Sequence, residues 1–341
     1  MRKIYYSLIF PSDLLFSDKH DKALYRRGMD VAFVYDNNIW DRRYSGQSAE
    51  FIKAQIAAQN PKEIHFGAAW HHRDASKTFA WRPFVIDIDL PDYELSSGGK
   101  LPYRRFKTLS TASANPCDPT FRKSWTYIVV AVKIIDYSLE HEYGFKDRRW
   151  VFSGNKGVHC WVMDARACVL TDMMRRAIFE SLTSDQGLFR DDIDDPKIAS
   201  NYKEKIFRTV PFLQSCYTVI RKYMPRLLDD QDLWHDAKAQ VCPGDSWAEL
   251  EKHNYIGAVE FALKVGLPRL DLHAAQCGHM SKIPFSVHGK TGKIAVPFSA
   301  RHVDDFDPQQ SPTVEDVVLA HDGGVPSQSM QAFRAIFGSN T

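Results

Sequence analysis

Cysteine and long apolar runs are both scarce in this sequence, and each shortage excludes a class of protein. The six cysteines among 341 residues form no Cys-x-x-Cys pair, which argues against a disulfide framework and for reduced thiols inside a cell. No segment approaches the roughly 20 apolar residues of a membrane helix. The basic and then apolar start is similar to a signal peptide, but Pro11 and Asp13 interrupt it, so we interpret it as part of the fold. We therefore expect an intracellular protein without a membrane partner, in the nucleus of a eukaryote or the cytoplasm of a prokaryote.

An excess of one charge sign is also missing. The chain has 44 Lys and Arg against 42 Asp and Glu, a formal net charge of +2. A protein that covers a large nucleic-acid surface usually carries more positive charge than this, so a polyanionic partner would have to be bound by local basic patches. The hydrophobic content of 44% and the chain length indicate a soluble globular protein with one large domain or two ordinary ones.

What is present is an irregular mixture of strand and helix patterns. Strand-like runs surround the turn Asp36–Asn38, and a helix is expected from Ser48 to Asn60. Apolar residues spaced by three and four predict another helix from Trp125 to Leu139. Two β-runs then flank a turn at 155–156. The pattern predicts the α/β class, more closely an α+β fold of mixed sheets with flanking helices.

Between 184 and 256 the pattern changes, because acidic turns alternate with short helical pieces and no strand pattern occurs. Strand character returns at 267–273 and in a hairpin at 284–298, whose turn is 289–292. We therefore predict a core domain, a helical subdomain inserted in it, and a C-terminal helix and tail. Their predicted boundaries are 1–183 with 257–310 for the core, 184–256 for the subdomain, and 311–341 for the helix and tail.

The stretch "FVIDIDL" at 84–90 places two aspartates inside an otherwise apolar run. Side chains at i and i+2 of a strand lie on the same face, so Asp87 and Asp89 project together. Adjacent carboxylates repel each other unless something neutralises them. A divalent cation does so, and Mg²⁺ prefers carboxylate and phosphate oxygens. The alternative is a pair of strand-end acids held by arginine or by backbone amides.

A second motif, "VFSGNKGVHCWV" at 151–162, places polar residues and glycines between two apolar strands. Gly154 and Gly157 allow the backbone to approach a ligand closely, and exposed amides in such a turn bind anions. The side chains of Ser153, Lys156 and His159 can donate hydrogen bonds to phosphate oxygens. The alternative is an ordinary hairpin with a buried histidine.

A third group lies in "RLDLH" and "SKIPFSVHGKTGK". We expect Asp271 to be another carboxylate in an apolar strand, and Lys282 and His288 to flank a core strand formed by "IPFSV". Three acids for metal ions, with lysine, histidine, serine and a glycine turn for a triphosphate, are the groups that nucleotidyl transfer by two metal ions uses. As a set they are difficult to explain by packing alone.

In this order the motifs resemble those of the small catalytic subunit of archaeal and eukaryotic DNA primases, within the archaeo-eukaryotic primase superfamily. The start "YYSLIFP" and the segment "NPKEIHFGAAWHHR" are also similar, so the resemblance covers about residues 5–310. It implies the mixed α/β catalytic core of that superfamily with a helical subdomain. It also implies that Asp87, Asp89 and Asp271 form a catalytic triad that binds Mg²⁺ or Mn²⁺.

The same resemblance implies a nucleotide site and an activity. The residues expected to bind the incoming nucleotide are Ser153, Gly154, Lys156, His159, Lys282, His288 and Arg27. The expected reaction is synthesis of short primers, with RNA as the expected product, on a single-stranded DNA template; NTPs and dNTPs both stay open as substrates. A primase large subunit and a replicative polymerase are the expected partners.

The sequence departs from the family pattern at several positions. The usual Cys/His zinc cluster is reduced to Cys117, and one thiol cannot build a four-ligand site, so no structural zinc is predicted. Met29 stands where an "REF" arginine is common, so either Arg27 substitutes for that arginine or the site loses one positive charge. His65 stands where relatives often carry an aspartate near the sugar, which leaves the choice between NTPs and dNTPs open. The segment 277–280 is interpreted as a structural loop.

Two other functions are compatible with the sequence. One is a stand-alone primase-polymerase of a repair system or mobile element that uses dNTPs, which the missing zinc cluster favours. The other is a non-catalytic relative that binds nucleic acid or nucleotide. The presence of all three aspartates argues against the second, because a module without catalysis would tolerate the loss of any one.

Overall fold

A computed structural model describes most of the chain, and it divides into two compact units. The described residues are 1–15, 24–25, 28–73, 76–95, 119–183, 188–189 and 192–322. The first unit comprises Met1–Asp87, Phe145–Ala177 and Asp271–Thr341, and the second comprises Ile88–Gly144 and Ile178–Leu270. Helices and antiparallel strands both occur, which confirms the predicted α+β fold class. In the described part, no helix is both long and apolar enough to cross a membrane.

Two sheets form the framework of the first unit. One has the strand order β2-β1-β3-β4 with β8 paired to β3, and the other has the order β5-β7-β6-β9. The predicted hairpin around Asp36–Asn38 is present, and Asn38 adopts a positive φ of 61° in its turn. The strands are β1 Met29–Val34, β2 Trp40–Asp41, β3 Glu63–Arg73, β4 Ser76–Trp81, β5 Phe84–Asp89, β6 Arg148–Phe152, β7 Gly157–Val162, β8 Ser281–Lys282 and β9 Pro297–Phe298.

Helices of the first unit are mostly short, and their ends follow the predicted caps. The Oγ of Ser48 accepts a hydrogen bond from the Phe51 amide, and the helix ends at Asn60 with a left-handed φ of 51°. A further helix, Asp172–Thr183, continues past the boundary of the unit. The remaining helices are Arg2–Ile4, Ser12–Leu15, Ala49–Gln59, Ala165–Cys168, Leu272–Ala275 and Val314–His321, with a π-helical turn at Tyr5–Ile9 and 3₁₀ turns at Ala300–Asp305 and Pro308–Gln310.

The start of the chain packs inside the first unit. Tyr5 and Tyr6 are buried. The hydroxyl of Tyr5 donates to the carbonyl of Phe285 at 2.8 Å, and that of Tyr6 accepts from the Val287 amide at 3.3 Å. These contacts support the segment that leads to His288.

The second unit is helical. In it the long helix Pro119–His141 packs against Pro211–Asp230, which also contacts Tyr255–Gly266. No strand occurs among the described residues from 192 to 270, as the sequence pattern predicted. The predicted subdomain 184–256 lies within this unit, and its boundaries stay a prediction. The other helices are Asp92–Leu95, Pro196–Thr209, Trp234–Gln240 and Trp247–His253.

One strand prediction is wrong, and another holds only in part. Segment 267–273 is not a strand, because the carboxylate of Asp271 caps the helix Leu272–Ala275. The hairpin predicted at 284–298 keeps its turn, and backbone hydrogen bonds such as that from the His288 amide to the Lys293 carbonyl join its arms. Regular strand pairing is reduced to the bridge Val287–Ile294 and the short strand β9. Its ladder is interrupted by Phe285, which has a positive φ of 65°, and by prolines that have no amide hydrogen to donate. The predicted C-terminal helix is Val314–His321, and the tail from 323 lies outside the described residues.

Candidate active site

Strand β5 carries the first two predicted acids. Asp87 and Asp89 are half-buried, whereas the intervening Ile88 is fully buried, as expected for two side chains on one face of a strand. The division between the two units falls after Asp87, within the strand, and Asp89 continues it. Alternation along the strand gives the two side chains their common face.

The third predicted acid lies next to the first. The amide of Asp271 donates a hydrogen bond to the carbonyl of Asp87 at 3.2 Å, which brings the two residues together although 184 positions separate them in sequence. Oδ1 of Asp271 accepts from the His273 amide at 2.8 Å. Nε2 of His159 lies 3.6 Å from Oδ1 of Asp87. The structure therefore gathers two of the predicted acids and one of the predicted nucleotide ligands.

The turn between β6 and β7 is tied to the turn at 289–292. Gly154 has a φ of +88°, and a Cβ placed on it would lie 2.7 Å from Cβ of His288 and 3.3 Å from the Lys293 carbonyl. Oγ1 of Thr291 donates to the Gly154 carbonyl at 2.6 Å. Only glycine allows both the conformation and this close approach. The two predicted anion-binding segments are thus in direct contact.

Ser153 stabilises the turn between β6 and β7 through two hydrogen bonds with Gly157. Its amide donates to the Gly157 carbonyl at 3.0 Å, and its Oγ accepts from the Gly157 amide at 3.3 Å. The side chain is buried, while Lys156 at the tip of the turn is half-buried. The turn therefore has a defined backbone geometry with a lysine at its rim.

His288 is held as a neutral donor. Its Nδ1 accepts a hydrogen bond from the Lys290 amide at 3.3 Å, so the ring proton lies on Nε2. Burial, and secondly the charge of Lys282, lower the pKa of His288 to about 3. At neutral pH the imidazole is therefore uncharged and presents an N–H, which suits a phosphate oxygen.

Lys282 is paired with a glutamate that the sequence analysis did not select. Its Nζ lies 3.4 Å from Oε1 of Glu63, and Oε2 of Glu63 is 3.1 Å from Nε2 of His65. The Gly289 amide donates to the same carboxylate at 3.0 Å. Glu63 and His65 share a face of β3 at i and i+2. This was the spacing that identified Asp87 and Asp89, so the signal was available.

The pKa of His279 responds both to one of the predicted acids and to a residue next to Glu63. Burial and the charge of Arg82 lower the pKa of His279, and the charge of Asp271 opposes them. His65 and His159 also act on the same pKa. The segment 277–280, interpreted from sequence as a structural loop, therefore places a titratable side chain close to the site.

Two buried arginines hold that loop. Arg82 donates to the carbonyls of Ala274 at 3.0 Å and Gln276 at 2.9 Å and to Oγ of Ser281 at 2.9 Å. Arg175 donates to the carbonyls of Pro83 and Arg82. Both side chains are 1% exposed. They connect the start of β5 to the segment that follows Asp271, a link between distant residues for which the sequence carries no local signal.

The chemistry of the acids fits a divalent cation. Asp87, Asp89 and Asp271 offer the oxygen ligands that Mg²⁺ and Mn²⁺ prefer. Within the described ranges, however, no three His, Cys, Asp or Glu side chains converge closely enough to hold a metal ion by themselves. A cation would therefore need further oxygens, and Mg²⁺ commonly takes them from water and substrate phosphates.

Two residues named from sequence lie outside the described part of the chain. They are Arg27, expected to replace a family arginine, and Cys117, the remainder of the expected zinc cluster. The prediction that no structural zinc is present stays a prediction, as does the role of Arg27.

Comparisons with known proteins find related sequences. The family model described as DNA primase small subunit matches residues 86–300. The DNA primase small subunit of Caenorhabditis elegans is 29% identical over an alignment 378 residues long, which includes 92% of this chain and 85% of the relative. That of Saccharomyces cerevisiae is 27% identical, with 92% and 83% covered. That of Archaeoglobus fulgidus is 24% identical, with 74% and 67% covered.

Carboxylates beside a histidine N–H and a lysine are groups that nucleotidyl transfer uses. The sequence matches then identify the family. The chain belongs to the DNA primase small subunit family, so its role is that of a primase catalytic subunit in DNA replication. This confirms the family that the motifs indicated, and membership implies the use of divalent metal ions.

Proposed function

We propose that this chain synthesises short RNA primers on a single-stranded DNA template, with Asp87, Asp89 and Asp271 as its catalytic acids. The observation that carries the proposal is the hydrogen bond from the Asp271 amide to the Asp87 carbonyl, which joins acids from two distant motifs. Asp89 lies on the same face of β5 by strand alternation.

These three carboxylates would hold Mg²⁺ or Mn²⁺. When bound, the cations would activate the attacking 3′-hydroxyl and neutralise charge on the departing pyrophosphate. His159, with Nε2 near Asp87, orients that carboxylate from the side of the 153–157 turn. The chain needs no nucleophile of its own, because the hydroxyl is supplied by the substrate.

The triphosphate would be bound by the opposite group of residues. Lys282 supplies the fixed positive charge, and His288 supplies an N–H from Nε2. At Gly154 the backbone of the 153–157 turn can come close to the triphosphate. Lys156 adds a charge at the rim. Electrostatic stabilisation of developing negative charge by such fixed donors is a large part of catalysis in phosphoryl chemistry.

The template and the nucleotides are the substrates that follow from this role. A primase large subunit and a replicative polymerase are the proposed protein partners, since initiation by a small subunit would benefit from additional template contacts. His65, which stands where relatives often have aspartate, leaves NTPs and dNTPs both to be tested.

The proposal is tested by primer synthesis on single-stranded DNA with Mg²⁺ or Mn²⁺. The assay compares NTPs with dNTPs, with and without a supplied primer. The variant Asp87→Asn removes one charge with little change of shape, and Asp305→Asn on an exposed surface is its matched control. We expect products from NTPs without a primer, loss of at least about a hundredfold in Asp87→Asn, and no loss in the control.

The outcomes separate the candidate functions. Full activity of Asp87→Asn would contradict the assignment of the catalytic acids. Extension of a supplied primer only, with dNTPs preferred, would support the stand-alone primase-polymerase instead. ATP binding without synthesis, even after a large subunit is added, would support the non-catalytic relative.

A further inference from the structure

Three groups from three segments of the first unit converge on the carboxylate of Glu63. Oε1 lies 3.0 Å from the Gly289 amide and 3.4 Å from Nζ of Lys282, and Oε2 lies 3.1 Å from Nε2 of His65. The three partners belong to β3, to β8 and to the turn after His288. Glu63 is therefore the point at which these segments are joined by polar contacts.

The backbone explains why these groups meet. Strands β3 and β8 pair antiparallel, with His65 opposite Lys282. The side chain of Glu63 shares the face of His65, two residues along the strand. The turn at Gly289 lies against the start of β3, where its amide donates to Glu63 and a Cβ would meet the side chain of the preceding Lys62. The pairing register of β3 with β8, together with the turn at Gly289, therefore brings all three donors to the Glu63 carboxylate.

The carboxylate is also kept ionised in a nearly buried place. The Glu63 side chain is 18% exposed, and those of His65 and Lys282 are each 10% exposed. Burial alone would raise the pKa of Glu63, but the hydrogen bond from His65 and the charge of Lys282 hold that pKa well below its usual range. A buried lysine without such a partner is costly, so the pair is mutually dependent.

We propose that Glu63 is a positioning residue of the nucleotide pocket, which holds the ammonium of Lys282 and the turn that carries His288 where a triphosphate binds. The inference rests on the proposed function. Glu63 is itself an anion and does not contact phosphate. It acts through Lys282, whose direction it sets, and through the Gly289 amide, which keeps His288 against Gly154.

A double-mutant cycle measures whether Glu63 acts through Lys282. The variants are Glu63→Gln, Lys282→Met and the double variant, and Glu50→Gln on an exposed helix surface is the matched control. Glutamine keeps the shape and an oxygen for the Gly289 amide while removing the charge. The measured quantities are the dissociation constant of ATP with Mg²⁺, the KM and kcat of primer synthesis, and the thermal unfolding midpoint.

We expect Glu63→Gln to weaken ATP binding about tenfold in the wild-type background and less than about twofold in the Lys282→Met background. KM should rise by a similar factor while kcat at saturating ATP changes less. The Glu50→Gln control should match wild type in all measurements.

Each other outcome has a definite meaning. An equal factor in both backgrounds, or ATP binding by Glu63→Gln as tight as wild type, would overturn the positioning role and leave the proposed function standing. A folded wild type that binds no ATP and makes no primer would instead overturn the proposed function, and the positioning role with it. These results are distinguishable because the wild-type measurement precedes the cycle.

Discussion

Replacement of Gly154 by alanine tests whether the 153–157 turn and His288 form one pocket. Two separate effects are expected. The φ of +88° is a conformation that side chains other than glycine adopt at a cost of about 1–2 kcal/mol. In addition, the new methyl group would lie 2.7 Å from Cβ of His288, well inside the 3.4 Å at which ordinary contact begins. Cβ of His288 moves only with its backbone, so overpacking adds about 1–3 kcal/mol.

A matched glycine separates the two effects. Gly46 has a φ of +75° and nothing within 4 Å of a placed Cβ, so Gly46→Ala carries the conformational cost alone. Urea unfolding should therefore show a loss of about 1–2 kcal/mol for Gly46→Ala and about 2–5 kcal/mol for Gly154→Ala. Only Gly154→Ala should weaken ATP binding, by about tenfold, because only it displaces His288.

The reasoning would be refuted by equal losses in the two variants, which would mean that the contact with His288 is absent in solution. It would equally be refuted by a destabilised Gly154→Ala protein that still binds ATP as tightly as wild type. That result would place the phosphate site away from the two turns.

Three further outcomes are expected. The depressed pKa of His288, about 3 against an ordinary value of 6.5, means that the unfolded chain binds the proton more readily. Its contribution to stability is therefore fully present above about pH 6.5 and is lost as the pH falls towards 3. Urea unfolding at pH 8, 6 and 4 measures this loss, and a His288→Asn protein whose stability falls as steeply as that of wild type would contradict it. Arg82→Met leaves the carbonyls of Ala274 and Gln276 and the Ser281 hydroxyl without their buried donor, and should lower the free energy of unfolding by about 3–5 kcal/mol. Urea unfolding beside the exposed Arg208→Met checks this, and a difference under about 1 kcal/mol would contradict it. Burial raises the pKa of the Cys277 thiol to about 11, so iodoacetamide at about pH 8 should modify it far more slowly in the native than in the urea-unfolded protein, as read by mass spectrometry of its peptide.

Local patterns predicted part of the site well. Strand alternation placed Asp87 and Asp89 on one face of β5, because that direction depends only on neighbouring residues. The turn around Gly154 was predicted for the same reason, because glycines between two apolar strand patterns indicate a turn from neighbouring residues alone. The association of the motifs in one family came from their order along the chain.

Long-range and competing interactions account for what was missed. Asp271 was assigned to a strand from its apolar neighbours, but its carboxylate caps a helix instead, a choice that propensity alone does not decide. Arg82 finds its acceptors more than 190 positions away, so its role is invisible in its own segment. Glu63 could have been selected by the i, i+2 rule, yet its partners on β8 and the 289–292 turn could not.

The contacts of Tyr5 and Tyr6 have a consequence for how the protein is made. The Tyr5 hydroxyl donates to a carbonyl 280 positions later in the chain, and the Glu63 carboxylate accepts from the Gly289 amide 226 positions later. A ribosome delivers the chain from its N-terminus, so the early segments remain without these partners until residues 285–289 have been made. Until Ser281 and Lys282 emerge, the edge of β3 at His65 and Phe66 lacks its partner strand, which is the kind of edge that pairs wrongly with other chains. The polar contacts of Glu63 are therefore completed only after Gly289 has left the ribosome.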